Sequence, residues 1–276
     1  MIDLHCHILP GLDDGSPSLD VSLAMARRAS QDGITDIVAT PHLFRGETNL
    51  PDFGLISKKR KELQSELEKE GIPLTLHSGV EARFSHNILE EIKKHRPHLV
   101  LAGSSYMFVE FPFEYVYSGV KEVFFQVMNE GIVPIIAHPE RITDFMHHPE
   151  MLYDLVEMGA LAQANAGSFT GRNGSEVREA AFRFLNLNLI HFIASDAHDV
   201  ENRPPVLSAA ARSVADVIGP EAATALVQDN PRAVLADEPP PFQPDPIDPH
   251  AAPERHLRFR LPSIFKPKKG DRKPDE

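Results

Sequence analysis

Two rhythms of apolar and polar positions alternate along the chain. Short runs rich in β-branched and aromatic residues occur at 2–5, 34–40, 74–81, 106–111, 133–138, 161–166 and 190–195, and longer stretches with a helical apolar period separate most of them. The first such stretch, SLDVSLAMARRASQDG, offers Ser18 as N-cap, Leu19, Leu23 and Ala26 as one apolar stripe, and Gly33 where a left-handed C-cap belongs. Gly71, Gly131 and Gly159 end later stretches in the same way, each just before a strand run. Strands that alternate with helices in this manner predict an α/β fold with a parallel sheet. About seven units between residues 1 and 236 suit one closed barrel better than two separate domains, because βα barrels take roughly 250 residues.

After residue 236 the pattern stops. Residues 237–276 hold ten of the 24 prolines and show neither period, which predicts a disordered proline-rich tail. The end of that tail, from Glu254 to Lys273, carries eight Lys or Arg against two acids, interleaved with Leu257, Phe259, Leu261, Ile264 and Phe265. It is read first as a solvated tail, and second as a segment for an acidic partner or an anionic membrane surface.

Composition narrows the function classes. A formal net charge of -12 disfavours a nucleic-acid binder held by phosphate contacts. The single cysteine, Cys6, rules out an intramolecular disulfide, no apolar run reaches the ~18 residues of a membrane span, and no leader pattern precedes Asp3. These features predict a cytoplasmic protein; the oligomeric state stays open.

In a parallel βα barrel the chemistry lies at the C-terminal strand ends. Here those ends carry His5 and His7, with Asp13 and Asp14 in the following loop; then His42, Glu81, Glu110, His138 with Arg141, and Asp196 with His198. Period-two geometry turns His5 and His7 to one side and Cys6 to the other, which makes Cys6 a small buried residue. Any one of these side chains alone reads as a cap, a turn or an ordinary surface group, and His77, His86, His95, His98, His147, His148, His191, His250 and His256 are read so. Gathered on one rim, the set would be repulsive or unsatisfied without a cation. Four ionised carboxylates among nine ligands suit two or three divalent ions; three would leave positive charge over, and Arg141 and Arg203 add to it. Such a site attracts a dianion, with a phosphate monoester the foremost candidate. Imidazole and carboxylate donors without thiolate favour Mn, Fe or Zn.

Seven segments in order, DLHCHILPGLDDG, TPH, GVEARF, FVEF, IIAHPER, IASDAH and NRPP, resemble the PHP superfamily of metal-dependent phosphohydrolases. Within it the chain is most similar to the bacterial manganese-dependent protein-tyrosine phosphatases of capsule and exopolysaccharide synthesis. That resemblance covers residues 1–236 and implies a distorted (βα)7 barrel with three divalent ions, Mn foremost. Carried over by position, His5, His7, Glu81 and Asp196 would hold one ion, Glu81 would bridge to a second held by Glu110 and His138, and Asp14, His42 and His198 would hold the third. The family pattern has an acid in the DDG loop, and Asp14 is assigned ahead of Asp13. Arg141 and Arg203 match its phosphate-binding arginines. The implied substrate is the phosphotyrosyl tail of a bacterial tyrosine kinase, hydrolysed in line by metal-activated hydroxide with His42, Asp196 and both arginines in the catalytic set. A cysteine phosphatase loop starting at Cys6 would need arginine at position 12, and Leu12 stands there.

Three alternatives accompany this reading: a phosphatase of a small monoester such as histidinol phosphate, a polymerase-associated nuclease, and a non-catalytic phosphotyrosine-binding module. The segment Phe111 to Tyr117 is read as core, with an aromatic wall for a tyrosine ring as the alternative.

Overall fold

The computed structural model describes residues 1–44 and 52–251. Its strands are β1 (Ile2–Cys6), β2 (Asp36–Ala39), β3 (His42–Leu43), β4 (Thr75–Ser78), β5 (Glu81–Arg83), β6 (Tyr106–Glu110), β7 (Val133–Ala137), β8 (Leu161–Asn165) and β9 (Phe192–Ala194). All pair in parallel, in a three-stranded sheet β1-β2-β4 and a six-stranded sheet β3-β5-β6-β7-β8-β9.

Each expected strand run is present; one is split, and one is followed by a further short strand. The run at 34–40 ends as β2, and Pro41, which has no N–H for a ladder, separates it from β3. The run at 74–81 breaks at Gly79, where a Cβ would stand 2.6 Å from Val38 Cγ1, so only glycine lets the strand cross its neighbour so closely. Beyond these breaks the chain changes sheets: β4 pairs with β2, while β5 pairs with β3 and β6. The first and last strands meet through His7 N donating to Ala197 O at 2.9 Å and Asp196 N donating to His5 O at 2.8 Å. Asp3 reinforces that seam, accepting from Ser195 N at 2.9 Å and from Ser195 Oγ at 2.5 Å.

Helices flank the strands as the apolar period predicts, with one shift of face. Helix Leu19–Gln31 is capped by Ser18, whose side chain accepts from Val21 N, and Gly33 takes φ +88°. Its buried stripe is Ser22, Leu23, Met25, Ala26 and Ala29, whereas Leu19 is exposed. An inner cluster of Ile2, Leu4, Val38, Phe108, Ile135, Leu161 and Phe192 fills the space the strands enclose. Phe108 is its top, with its ring 4.8 Å from that of His5.

Residues 237–251 correct the expectation of a disordered tail. They form no helix or strand, yet Asp237 accepts from Ser105 N and Oγ, Tyr106 Oη donates to Glu238 O, Asn188 Nδ2 donates to Asp245 O, and Ile247 N donates to Leu187 O. Asn230 closes a two-way clasp on the backbone of Phe242 at 2.7 and 3.0 Å. Phe242 and Ile247 pack against the core, so side-chain partners and two apolar anchors satisfy a backbone that its prolines keep out of regular structure. The basic stretch from Glu254 onward lies outside the described residues.

Buried His191 supplies a pH-dependent term. Its Nδ1 accepts from Ala162 N at 3.1 Å, which requires the unprotonated form, and burial pushes its pKa down to about 4. An unfolded histidine titrates near ~6.5, so the unfolded chain binds the proton first and stability present above that pH is lost as pH falls towards 4. His191→Asn keeps an acceptor without the titration. Urea unfolding at pH 7 and pH 4 should show wild type losing about 3 kcal/mol more than this variant.

Candidate metal centre

At the C-terminal ends of the strands, the parallel register sets His42 beside Glu81 and Arg83 beside Glu110. His5 and His7 arrive from β1, and Asp196 and His198 from the loop after β9. His5 Nε2 and His7 Nε2 are 3.2 Å apart and lie 3.3 and 3.4 Å from Glu81 Oε2. Asp196 Oδ1 stands 3.6 Å from His5 Nε2 and 3.4 Å from His7 Nε2. Glu81 is the hub: Oε2 also lies 2.6 Å from His42 Nδ1, and Oε1 lies 2.9 Å from His138 Nε2. Glu110 Oε2 is 3.9 Å from His42 Nδ1, while Asp14 Oδ1 is 3.2 Å from His42 Nε2 and 3.4 Å from His198 Nε2. All nine expected side chains therefore converge.

Their grouping differs from the positional carry-over in all three sets: Asp196 falls outside the first, His42 takes the place of His138 in the second, and His7 joins the third. Three sets have donor atoms close enough to share an ion: His5, His7 and Glu81; His42, Glu81 and Glu110; and His7, Asp14, His42 and His198. His42 thus stands between the second and third sets, and His138 reaches the cluster through the other oxygen of Glu81.

Asp13 and Asp14 divide the work of the DDG loop. Asp13 Oδ2 lies 2.7 Å from His7 Nδ1 and accepts from His42 N at 3.0 Å, while Oδ1 accepts from Gly15 N. It fixes the orientation of His7 from behind, leaving Nε2 for the cluster, whereas Asp14 faces the cluster itself. Gly15 is obligatory here, since a Cβ would come within 2.3 Å of His7 O. Asp13→Asn should weaken divalent-ion binding by about 10- to 100-fold without unfolding the chain, as isothermal titration would show.

Other supports carry little sequence signal. Gln163 Oε1 lies 2.9 Å from His5 Nδ1, and Gln163 Nε2 donates to Asn165 Oδ1. Asn165 Nδ2 donates to Asp196 Oδ2 at 2.7 Å, and its backbone N donates to the buried carboxyl of Glu140. Two polar residues two apart in the otherwise apolar run LAQANA are the trace of this role. Arg83 lies 3.3 Å from Glu110 Oε2.

The electrostatics call for added positive charge. Burial disfavours the charged form of His5, yet Glu81 and Asp196 outweigh it and raise its pKa; His7 is raised well above the usual range, against its burial, by Asp13, Asp196 and Glu81. Glu81 and Asp196 are held well below the usual carboxylate range, against their burial, chiefly by His5. Burial and neighbouring His7 push His198 down to about 3. The carboxylates thus favour positive charge at His5 and His7, and divalent ions would compete with protons for those nitrogens.

Hydrogen-bond accounting agrees. His42 Nε2, His138 Nδ1 and His198 Nε2 are buried without a hydrogen-bond partner. Such orphans cost free energy unless something else binds them. His138 and Asp196 also hold left-handed backbone, at φ +35° and +51°, a cost that clusters at functional sites.

Arg141 Nη1 and Arg203 Nη2 reach Asp196 Oδ2 at 3.1 and 2.6 Å. Asp196 thus turns one oxygen to the imidazoles and the other to two guanidiniums and Asn165. Both arginine side chains remain about a quarter to a third exposed. Cys6 is buried on the far side of its strand, with a thiol that burial pushes well above the usual range.

Residues 1–236 match the model of the family described as capsular polysaccharide synthesis, CpsB/CapC. The chain belongs to that family. Within it, the chain is 40% identical over 204 residues to the tyrosine-protein phosphatase YwqE of Bacillus subtilis, spanning 74% of this chain and 79% of that one. It is 29% identical over 246 residues to the tyrosine-protein phosphatase CpsB of Streptococcus pneumoniae, spanning 86% and 99%. A solved chain from crystal structures of YwqE and CpsB, described as unique metal-dependent tyrosine phosphatases, superposes with a TM-score of 0.85 at 35% identity. That superposition covers 90% of this CpsB/CapC member and 99% of the solved chain.

Proposed function

We propose that this CpsB/CapC member is a metal-dependent protein-tyrosine phosphatase acting in the cytoplasm on the phosphotyrosyl tail of a bacterial tyrosine kinase of capsule or exopolysaccharide synthesis. The observation that carries this reading is the joint placement of nine ligand-type side chains and two guanidiniums on Asp196. Its catalytic unit is residues 1–236, a distorted (βα)7 barrel in which β2 with β3, and β4 with β5, each count as one broken strand. The segment 237–251 is a strap laid against that unit.

The buried orphan nitrogens and the donor chemistry fit divalent ions, with Mn foremost and Fe or Zn as alternatives. His5, His7, Glu81 and Asp196 would hold one, Glu81, Glu110 and His138 or His42 a second, and Asp14, His42 and His198 a third. Bound there, the ions would supply Lewis acidity and lower the pKa of water. The chain's own contribution is placement: Glu81 spans neighbouring positions, while Asp13 and Gln163 lock the imidazole orientations. Arg141 and Arg203 converge from one side, so their forks would grip the non-bridging oxygens of a phosphate and stabilise charge as the bond to the tyrosine oxygen breaks. No covalent intermediate is required, and Cys6 takes no part.

Competition tests this assignment. Histidinol phosphate should inhibit hydrolysis of a phosphotyrosyl peptide only weakly and turn over poorly itself. Preferential turnover of histidinol phosphate would assign the same centre to a small monoester.

A further inference from the structure

The loop 112–118 presents an aromatic ring beside the phosphate-gripping side of the cluster. Phe111 is fully buried and Tyr117 packs on Phe84, as expected of core, but Phe113 is 40% exposed and Tyr115 45%. Single exposed apolar side chains are ordinary, so exposure alone carries nothing. Position does. The guanidinium carbon of Arg141 sits 4.5 Å from the centre of the Phe113 ring, and the ring of His138 is 5.7 Å away. Arg141 in turn reaches Asp196 at 3.1 Å, so Phe113, Arg141 and the cluster form a continuous series. The arrangement is braced: Thr143 N donates to Phe113 O at 2.7 Å, and Val116 N donates to Asp144 Oδ2 at 2.8 Å. Both braces come from residues two and three positions after Arg141, so loop and arginine are held as one unit.

In phosphotyrosine a single oxygen separates the phosphate from a flat phenyl ring. A phosphate gripped by Arg141 therefore brings that ring to the neighbourhood of Phe113, where an offset or edge-to-face contact is available. The aliphatic stem of a serine or histidinol phosphate offers no ring at that distance from phosphorus. We propose that Phe113 is a specificity-determining residue that receives the phenyl ring of phosphotyrosine. This rests on the phosphotyrosine reading above. It predicts that aromatic monoesters are favoured by a surface outside the metal ligands.

Steady-state kinetics on the Mn²⁺-loaded full chain separate this role from simple support of Arg141. Phe113→Ala should raise KM for a phosphotyrosyl peptide about tenfold, while the inhibition constant of inorganic phosphate, which has no ring, moves by less than about twofold. Phe113→Tyr should restore the wild-type KM, and Phe113→Leu, which keeps bulk but no ring, should fall between. Equal shifts for peptide and inorganic phosphate would overturn the proposal in favour of a residue that positions Arg141. No shift in either would overturn it while leaving the phosphatase assignment standing. Wild type inert towards the peptide would remove that assignment and this proposal together.

Discussion

Asp196→Ala is expected to lower kcat/KM for a phosphotyrosyl peptide by at least about 10³-fold. The side chain serves three groups at once. Its Oδ1 faces the Nε2 atoms of His5 and His7, and its Oδ2 accepts from Arg141, Arg203 and Asn165. Alanine therefore removes the carboxylate that faces His5 and His7 and releases both guanidiniums from their common anchor. Because the carboxyl is held ionised against its burial, the buried imidazoles would also lose a counter-charge. Asp196→Asn keeps the shape and an acceptor without the charge, and should retain more activity than alanine while binding ions less tightly. Circular dichroism and metal content per chain separate these effects from unfolding; full activity in folded Asp196→Ala would remove the mechanism as described.

Arg203→Ala is expected to cost about 10²- to 10³-fold in kcat/KM, the scale of one charge-stabilising donor lost from a transition state. Arg203 lies 2.6 Å from Asp196 Oδ2, closer than Arg141, and among the described residues no aromatic ring is seen to hold it. Its fork has donors for the carboxylate and for a phosphate oxygen together, which a lysine ammonium cannot match in geometry. Arg203→Lys should therefore recover only part of the loss, and metal binding should stay near wild type because no donor of the ion sets is removed. A folded Arg203→Ala enzyme with wild-type kinetics would reduce the residue to an ion-pair partner of Asp196.

The nine ligand-type residues were legible because each sits at the end of a strand run or in the loop that directly follows one, where parallel topology forces strand ends to one side. The histidine pair was the clearest case, since period two sends His5 and His7 inward and Cys6 away. What stayed hidden depends on contacts across the fold. Nothing local tells Asp13, which turns back to His7, from Asp14, which faces His42 and His198. Gln163 and Asn165 act only because β8 runs beside the last strand, and their polarity alone does not announce a role. The strand breaks at Pro41 and Gly79 hinge on which neighbour each segment pairs with. Composition misjudged residues 237–251, because Asn230, Asn188 and Tyr106 supply hydrogen bonds that a proline-rich stretch cannot make for itself. Phe113 read as core because its segment is aromatic throughout; only the fold separates it from Phe111.

The central claim is that bound divalent ions at this cluster are required for phosphotyrosine hydrolysis. The direct measurement is phosphate release from a phosphotyrosyl peptide by chelator-stripped protein, titrated with Mn²⁺ while bound metal per chain is counted. The account predicts no release from stripped protein and a rise that saturates as the cluster fills. Undiminished release from protein shown to be metal-free would contradict it.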